Sequence, residues 1–325
     1  MVTVRSILLA ITLSVAALAV PALAEQPSRA YVVGLLFTGA GPDDPLVHAI
    51  GKGLTDIGYV DGRDFRFEFR GAQGHLDRLQ RLADELVQLK VDVIVVATEA
   101  ALRAAKQSST TIPIVANLFD YDPVASGLID TLAHPGGNVT GIFTRAPELI
   151  GKRIELLKET IPRVWRIGVL YDSYGRRQLE AAQSAARSLG IQVVPVELRP
   201  PYDYNESFKA AKRKKVAAAI LLYSAVFYPA RDSIARQAVT NRLPVIAYAS
   251  EFARAGFLMS YGSNAANTFK RLAYFIDRVA KGAKPSDLPV EQPTEFEMIV
   301  NLKTAQALGL SVPESILLRA NEVIR

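Results

Sequence analysis

The chain contains no cysteine among its 325 residues. That excludes disulfide staples, thiolate metal sites, a cysteine nucleophile and a thiol-linked lipid anchor. Histidine is almost as scarce. His48, His75 and His134 are the three present, and none belongs to an HExxH pair or another metal-ligand spacing. There is no GxSxG elbow, and Ser173, beside Asp172, has no histidine motif to act as its base. The glycine-rich run Gly34-Leu35-Leu36-Phe37-Thr38-Gly39-Ala40-Gly41 is not a phosphate loop. Ala40 stands where the Walker pattern needs lysine, and Asp44 where the dinucleotide fingerprint needs its third glycine. No catalytic constellation emerges, and no cofactor is expected.

Long apolar runs are also missing, except for Ile7 to Val20 near the start. Arg5 precedes that run and Ala22-Leu23-Ala24 follows it, the order of a secretory signal peptide with a small-x-small cleavage site. The run is short for a bilayer span. Residues 1–24 are therefore expected to be removed after Ala24, leaving a protein in the periplasm. The roughly 300 residues that follow are enough for two domains of ordinary size.

Half of the residues are hydrophobic and 22% are charged, which fits a packed globular protein. The formal charge is +6, but the basic residues are scattered. Their one cluster, Lys212-Arg213-Lys214-Lys215, falls at the end of an expected helix, where cations suit the helix dipole. No nucleic-acid partner is expected.

What the sequence has in quantity is alternation. Tyr31 to Phe37, Phe65 to Phe69, Val91 to Val96 and Pro113 to Ala116 read as strands. Helical patterns separate them at Leu46 to Ile57, Leu76 to Leu89 and Ala100 to Lys106. The pattern restarts with a helix at Pro147 to Glu159. Strands follow at Arg166 to Tyr171, Gln192 to Val196, Val216 to Tyr223 and Pro244 to Tyr248, with helices at Arg177 to Leu189, Asn205 to Lys214 and Ala230 to Thr240. Continuous apolar strands separated by helices imply right-handed βαβ units and a parallel sheet. The expected fold class is α/β, two doubly wound Rossmann-like lobes. Crossings are expected near His134 to Phe143, near Gly256 to Ser260 and near Pro289 to Pro293. The expected lobes are 25–141 plus 257–288, and 142–256 plus 289–325.

In open α/β sheets, ligands bind beyond the carboxyl ends of strands, and two facing lobes would share one cleft. The candidate ligand-binding residues at such ends are Thr38, Thr98, Glu99, Ala100, Asp120, Thr144, Tyr171, Tyr223, Tyr248, Glu251 and Tyr261. Thr98 opens a helix, where free backbone N–H groups suit a carboxylate and where the same residue serves as a plain N-cap. Asp120 either pairs with a ligand ammonium or caps a turn. The tyrosines either stack on a flat ligand or line a lobe surface.

Several segments taken together resemble a known family. They include Gly58-Tyr59-Val60-Asp61-Gly62-Arg63, Asp92-Val93-Ile94-Val95-Val96, Pro135-Gly136-Gly137-Asn138-Val139-Thr140-Gly141 and Lys152-Arg153-Ile154-Glu155-Leu156-Leu157. Gly256-Phe257-Leu258-Met259-Ser260-Tyr261-Gly262, Leu288-Pro289-Val290-Glu291-Gln292-Pro293 and Asn301-Leu302-Lys303-Thr304-Ala305 complete the pattern. The chain resembles the ABC transporter substrate-binding proteins that include tryptophan- and tyrosine-type members, over nearly its whole length after the leader.

The resemblance implies the type I periplasmic-binding-protein fold, with a three-crossover hinge. It implies a monomer that captures a small solute and delivers it to an ABC permease with a separate ATPase subunit. It further implies a ligand bearing a carboxylate, an ammonium and a ring, with Thr98, Asp120 and Glu251 near the cleft. It makes the chain a binding protein and not an enzyme. A sensory or accessory binding module, and an enzyme on the same fold, are the alternatives.

Overall fold

The computed structural model describes residues 29–119, 121–144, 146–173 and 175–325. The expected leader and Asp120 lie outside the described residues. The strands are β1 Tyr31–Phe37, β2 Phe65–Gly71, β3 Val93–Val96, β4 Ile114–Leu118, β5 Val139–Phe143, β6 Arg166–Tyr171, β7 Gln192–Glu197, β8 Ala218–Leu221, β9 Val245–Ala247, β10 Met259–Ser263, β11 Phe296–Asn301 and β12 Glu322–Ile324. The α-helices are α1 Pro45–Asp56, α2 Leu79–Gln88, α3 Glu99–Ser108, α4 Ala146–Thr160, α5 Arg176–Ser188, α6 Tyr204–Arg213, α7 Arg231–Thr240, α8 Ser250–Ala255, α9 Ala265–Ala280, α10 Leu302–Ala307 and α11 Glu314–Leu317.

The strands form two sheets. The first has the order β2-β1-β3-β4-β5 and is parallel throughout. The second has the order β12-β11-β10-β9-β8-β6-β7. Its run β7-β6-β8-β9-β10 repeats the order of the first sheet, and β11 then pairs antiparallel to β10. The architecture is therefore α/β with two doubly wound halves of similar build.

The central strands of each sheet are buried on both faces, which is why they read as unbroken apolar runs, whereas the edge strands β2 and β7 are partly exposed and carry charged residues. On one side of the first sheet, Val33, Leu35 and Phe37 pack with Ile50 and Leu54 of α1 and with Phe269, Leu272 and Ile276 of α9. On the other, Val32, Leu36 and Ile94 meet Leu82 and Leu86 of α2 and Leu102 of α3. In the second sheet, Ile167 and Val169 pack on α4 and α5, while Leu170 and Leu221 pack on Phe208 of α6, Ile234 of α7 and Phe252 of α8.

Three connections pass between the sheets, after β5, between β10 and α9, and between α9 and β11. The second crossing lies later than the sequence predicts. The span 257–288 was expected to belong entirely to the first lobe, but β10 within it pairs with β9 and β11 of the second sheet. Met259 is fully buried there, and the chain leaves that sheet only at Ser263, before Asn264 caps α9 by accepting from Asn267 N at 2.8 Å. The last crossing runs beside the first, with Phe143 N donating to Glu291 O at 2.8 Å and Glu291 N to Gly141 O at 2.9 Å.

Candidate ligand-binding site

The carboxyl ends of β1, β3 and β4 in the first sheet face those of β8 and β9 in the second. A cavity of about 60 Å³ lies between them. Thr38, Thr98 and Phe119 line it from the first sheet, and Tyr223, Tyr228 and Tyr248 from the second. A more open cleft of about 240 Å³ continues past Thr98 and Tyr223 toward Glu99, Ala100 and Arg103. A smaller recess of about 20 Å³ lies behind the rings of Phe119, Tyr223 and Tyr248, and is closed by Thr144 and Arg153.

Six aromatic residues line the main cavity, Phe37, Phe119, Tyr223, Tyr228, Tyr248 and Phe269. Phe119 and Tyr223 stack with centroids 5.3 Å apart and planes 16° from parallel, and Tyr223 meets Tyr248 edge-on at 5.2 Å. Burial holds the Tyr248 phenol well above its ordinary pKa. Burial also raises Tyr228, and the neighbouring Glu251 carboxylate adds to that rise. Both phenols therefore stay neutral donors at physiological pH.

The first-sheet rim is fixed by capping. Thr98 sits in extended backbone and its Oγ1 accepts from Ala101 N at 3.2 Å, starting α3. The same hydroxyl shares a buried 2.8 Å hydrogen bond with Thr38 Oγ1. Asp44, also at the cavity, caps α1 by accepting from Leu46 N at 2.9 Å. Glu99 pairs with Arg103 at 2.6 Å and reaches Arg177 of the opposite half at 3.5 Å.

Arg153 is the unusual member. It is 4% exposed, and the one hydrogen bond its guanidinium makes among the described residues runs from Nε to Tyr261 O at 2.8 Å. No ion pair reaches it among those residues. Burial lowers its pKa to about 10, which leaves it charged at neutral pH.

The structure gathers Thr38, Thr98, Glu99, Ala100, Thr144, Tyr223 and Tyr248 around this connected space. It does not gather Tyr171, Tyr261 or Glu251. Tyr171 is turned by the strand's alternation into the core beneath α4 and α5, with Ile167 and Val169. Tyr261 stacks on Phe296 of the adjacent strand at 6.2 Å and meets the site only through its carbonyl. Glu251, in the first turn of α8, stands behind Tyr228. Asp44, Phe119, Arg153, Tyr228 and Ser263 line the space without having been expected to. Arg153 carried a readable signal, since it falls four residues after Leu149 and three before Leu156, on the apolar stripe of α4. A charge at a core position of a helix is rarely accidental.

Among the described residues there is no cluster of three or more His, Asp or Glu able to hold a metal, and no helix long and apolar enough to cross a membrane.

The sequence profile of a family described as ABC transporter substrate binding protein matches residues 42–324. A tyrosine-binding protein of Clostridioides difficile (strain R20291) is 27% identical over 266 residues, 80% of this chain and 75% of that protein. A crystal structure of an ABC domain in complex with L-Trp from Streptococcus pneumonia superposes with a TM-score of 0.78 at 26% identity, covering 90% of this chain and all of that one. The ligand-free, open structure of a substrate binding protein with adhesive properties from Clostridium difficile gives a TM-score of 0.63 at 25% identity, covering 90% of this chain and 99% of that one.

Proposed function

The chain belongs to the ABC transporter substrate binding protein family, and from that premise we propose that it captures a small ring-bearing carboxylate, an aromatic amino acid being the first candidate, between its two lobes. The observation that carries this reading is the cavity lined by aromatic rings from both sheets, with a buried cation behind them. Flat apolar walls favour a flat ligand, while the phenol hydroxyls of Tyr223 and Tyr248 are held by Ala97 O and Ser224 O.

The same geometry supports capture by closure. Residues of both halves line the cavity, so a ligand filling it contacts both and favours the closed arrangement by its differential affinity. The higher structural similarity to the L-Trp complex than to the open, ligand-free relative, at nearly equal identity and coverage, supports reading the present arrangement as closed. In this role the protein works in the periplasm as a monomer after loss of residues 1–24. It hands its ligand to a permease driven by a separate ATPase subunit.

The test is native mass spectrometry of the protein purified from the periplasm of its own cells, followed by release and identification of what it carries, with calorimetric titration of the aromatic amino acids. A ring acid released at one per chain and bound again on titration is the expected result. A sugar or a polyamine in its place would overturn the ligand class.

A further inference from the structure

Most buried cations in proteins have a partner, because removing an isolated charge from water is costly and is offset only by a counter-ion or by several hydrogen bonds. Arg153 has neither. Its guanidinium makes its one hydrogen bond through Nε, to Tyr261 O, and no carboxylate lies within ion-pair range among the described residues. Both Nη groups remain available beside the recess that Arg153 closes. Thr144 closes the same recess. It is 2% exposed, and its Oγ1 is buried with no hydrogen-bond partner. Two residues with incompletely satisfied polar groups thus line one pocket of about 20 Å³, room for a carboxylate and little more.

Their positions are set by rigid neighbours. Arg153 rises from the second turn of α4, one turn after Leu149, which also lines the recess. The Thr144 backbone is pinned to β4, its N–H donating to Leu118 O at 2.8 Å. The open side of the recess is formed by Phe119, Tyr223 and Tyr248, the rings that also wall the main cavity.

We propose that Arg153 and Thr144 form the carboxylate-binding subsite of this protein, the guanidinium gripping the two carboxylate oxygens and the Thr144 hydroxyl donating to one of them. The planar fork of a guanidinium matches a carboxylate in two-point contact. The ligand's ring then lies among Phe119, Tyr223 and Tyr248. This assignment rests on the ring-ligand reading of the cavity and adds what that reading lacks, the group that makes a negative charge obligatory. It also explains why the fold tolerates an unpaired buried cation, since the missing counter-ion is the ligand.

The experiment titrates the folded protein with matched acid and amide pairs, L-tyrosine with L-tyrosinamide and 3-phenylpropanoate with 3-phenylpropanamide, in wild type, Arg153→Met, Arg153→Lys and Thr144→Val. Wild type is expected to prefer each acid over its amide by at least tenfold. Arg153→Met should lose that preference while its ligand-free melting temperature stays level or rises, because it removes an uncompensated buried charge. A merely structural arginine would lower the melting temperature and leave the acid-to-amide ratio unchanged. Arg153→Lys keeps the charge without the fork and should fall between, and Thr144→Val should weaken the acids several-fold and the amides little. Equal binding of acids and amides by wild type would overturn the subsite and leave the ring-ligand reading standing. Binding of neither member of either pair would overturn both. Should Arg153→Met not fold, the wild-type ratio and the other two variants decide.

Discussion

Phe119 follows β4 of the first sheet and Tyr223 follows β8 of the second, yet their rings stack at 5.3 Å with planes 16° apart. The pair is a contact between the two halves of the molecule, and it forms a wall shared by the main cavity and the recess behind it. An aromatic pair contributes about 0.5–1.5 kcal/mol beyond its buried area. Phe119→Ala should therefore weaken ligand binding between about twofold and tenfold, measured by calorimetry. Small-angle scattering of the ligand-bound protein should show a smaller fraction of the compact form at subsaturating ligand.

Gly39 makes a second contact of this kind. A Cβ at that position would stand 2.2 Å from the backbone oxygen of Ala225, which belongs to the opposite half. Gly39 lies two residues after β1 and Ala225 four after β8, and a backbone atom cannot rotate aside as a side chain can, so the lobes must part. Gly39→Ala is expected to cost the closed form about 1–3 kcal/mol, as overpacking does. Thermal stability of the ligand-free protein should change little while affinity falls. An affinity equal to wild type would show that closure does not bring Gly39 against Ala225.

Thr98 tests the frame of the site. Its hydroxyl caps α3 and bonds to Thr38 in a buried position. Thr98→Ala removes a cap and leaves Thr38 without that partner, a loss of about 1–2 kcal/mol. It should appear as a lower urea midpoint at unchanged slope. Thr98→Ser should restore most of it.

Acid sensitivity should arise in part far from the cleft. Glu159 at the end of α4 is held below its ordinary pKa of 4.5 by the hydrogen bond from Arg319, with a further one from Ser315. Because the folded value is the lower one, the stabilisation is fully present above about pH 4.5 and is lost as pH falls through the folded value. Urea midpoints measured from pH 7 to pH 3 should fall less steeply for Glu159→Gln than for wild type, and the two should converge at the acid end. Parallel curves would remove Glu159 as a contributor.

Much of the fold was legible because both sheets are covered on both faces. Arg166–Tyr171 matches its expected span to the residue, and α2, α5 and α7 lie within about a turn of theirs. Gly190 takes the left-handed conformation expected of a helix C-cap, at φ +67°. The region after Gly256 was less legible. There β10 and α9 are separated by Asn264 alone, and the sheet to which β10 belongs depends on pairing with β9 and β11, strands contributed by different parts of the chain.

The sequence by itself determined the alternation of strands and helices, the cap at Thr98, and the absence of thiol chemistry and of a phosphate loop. These follow from local propensity, from hydrogen bonds that span three residues or fewer, and from composition. Only the tertiary structure decided which strand-end residues meet. Tyr223 and Tyr248 turn into the cleft, while Tyr171 turns into the core and Tyr261 onto Phe296. At a strand end, one residue of register decides between cavity and core, and that register is set by neighbouring strands. The placing of Arg153 and Thr144 at one recess has the same origin. It exists because the first crossing brings the end of β5 and the first half of α4 to rings from both sheets.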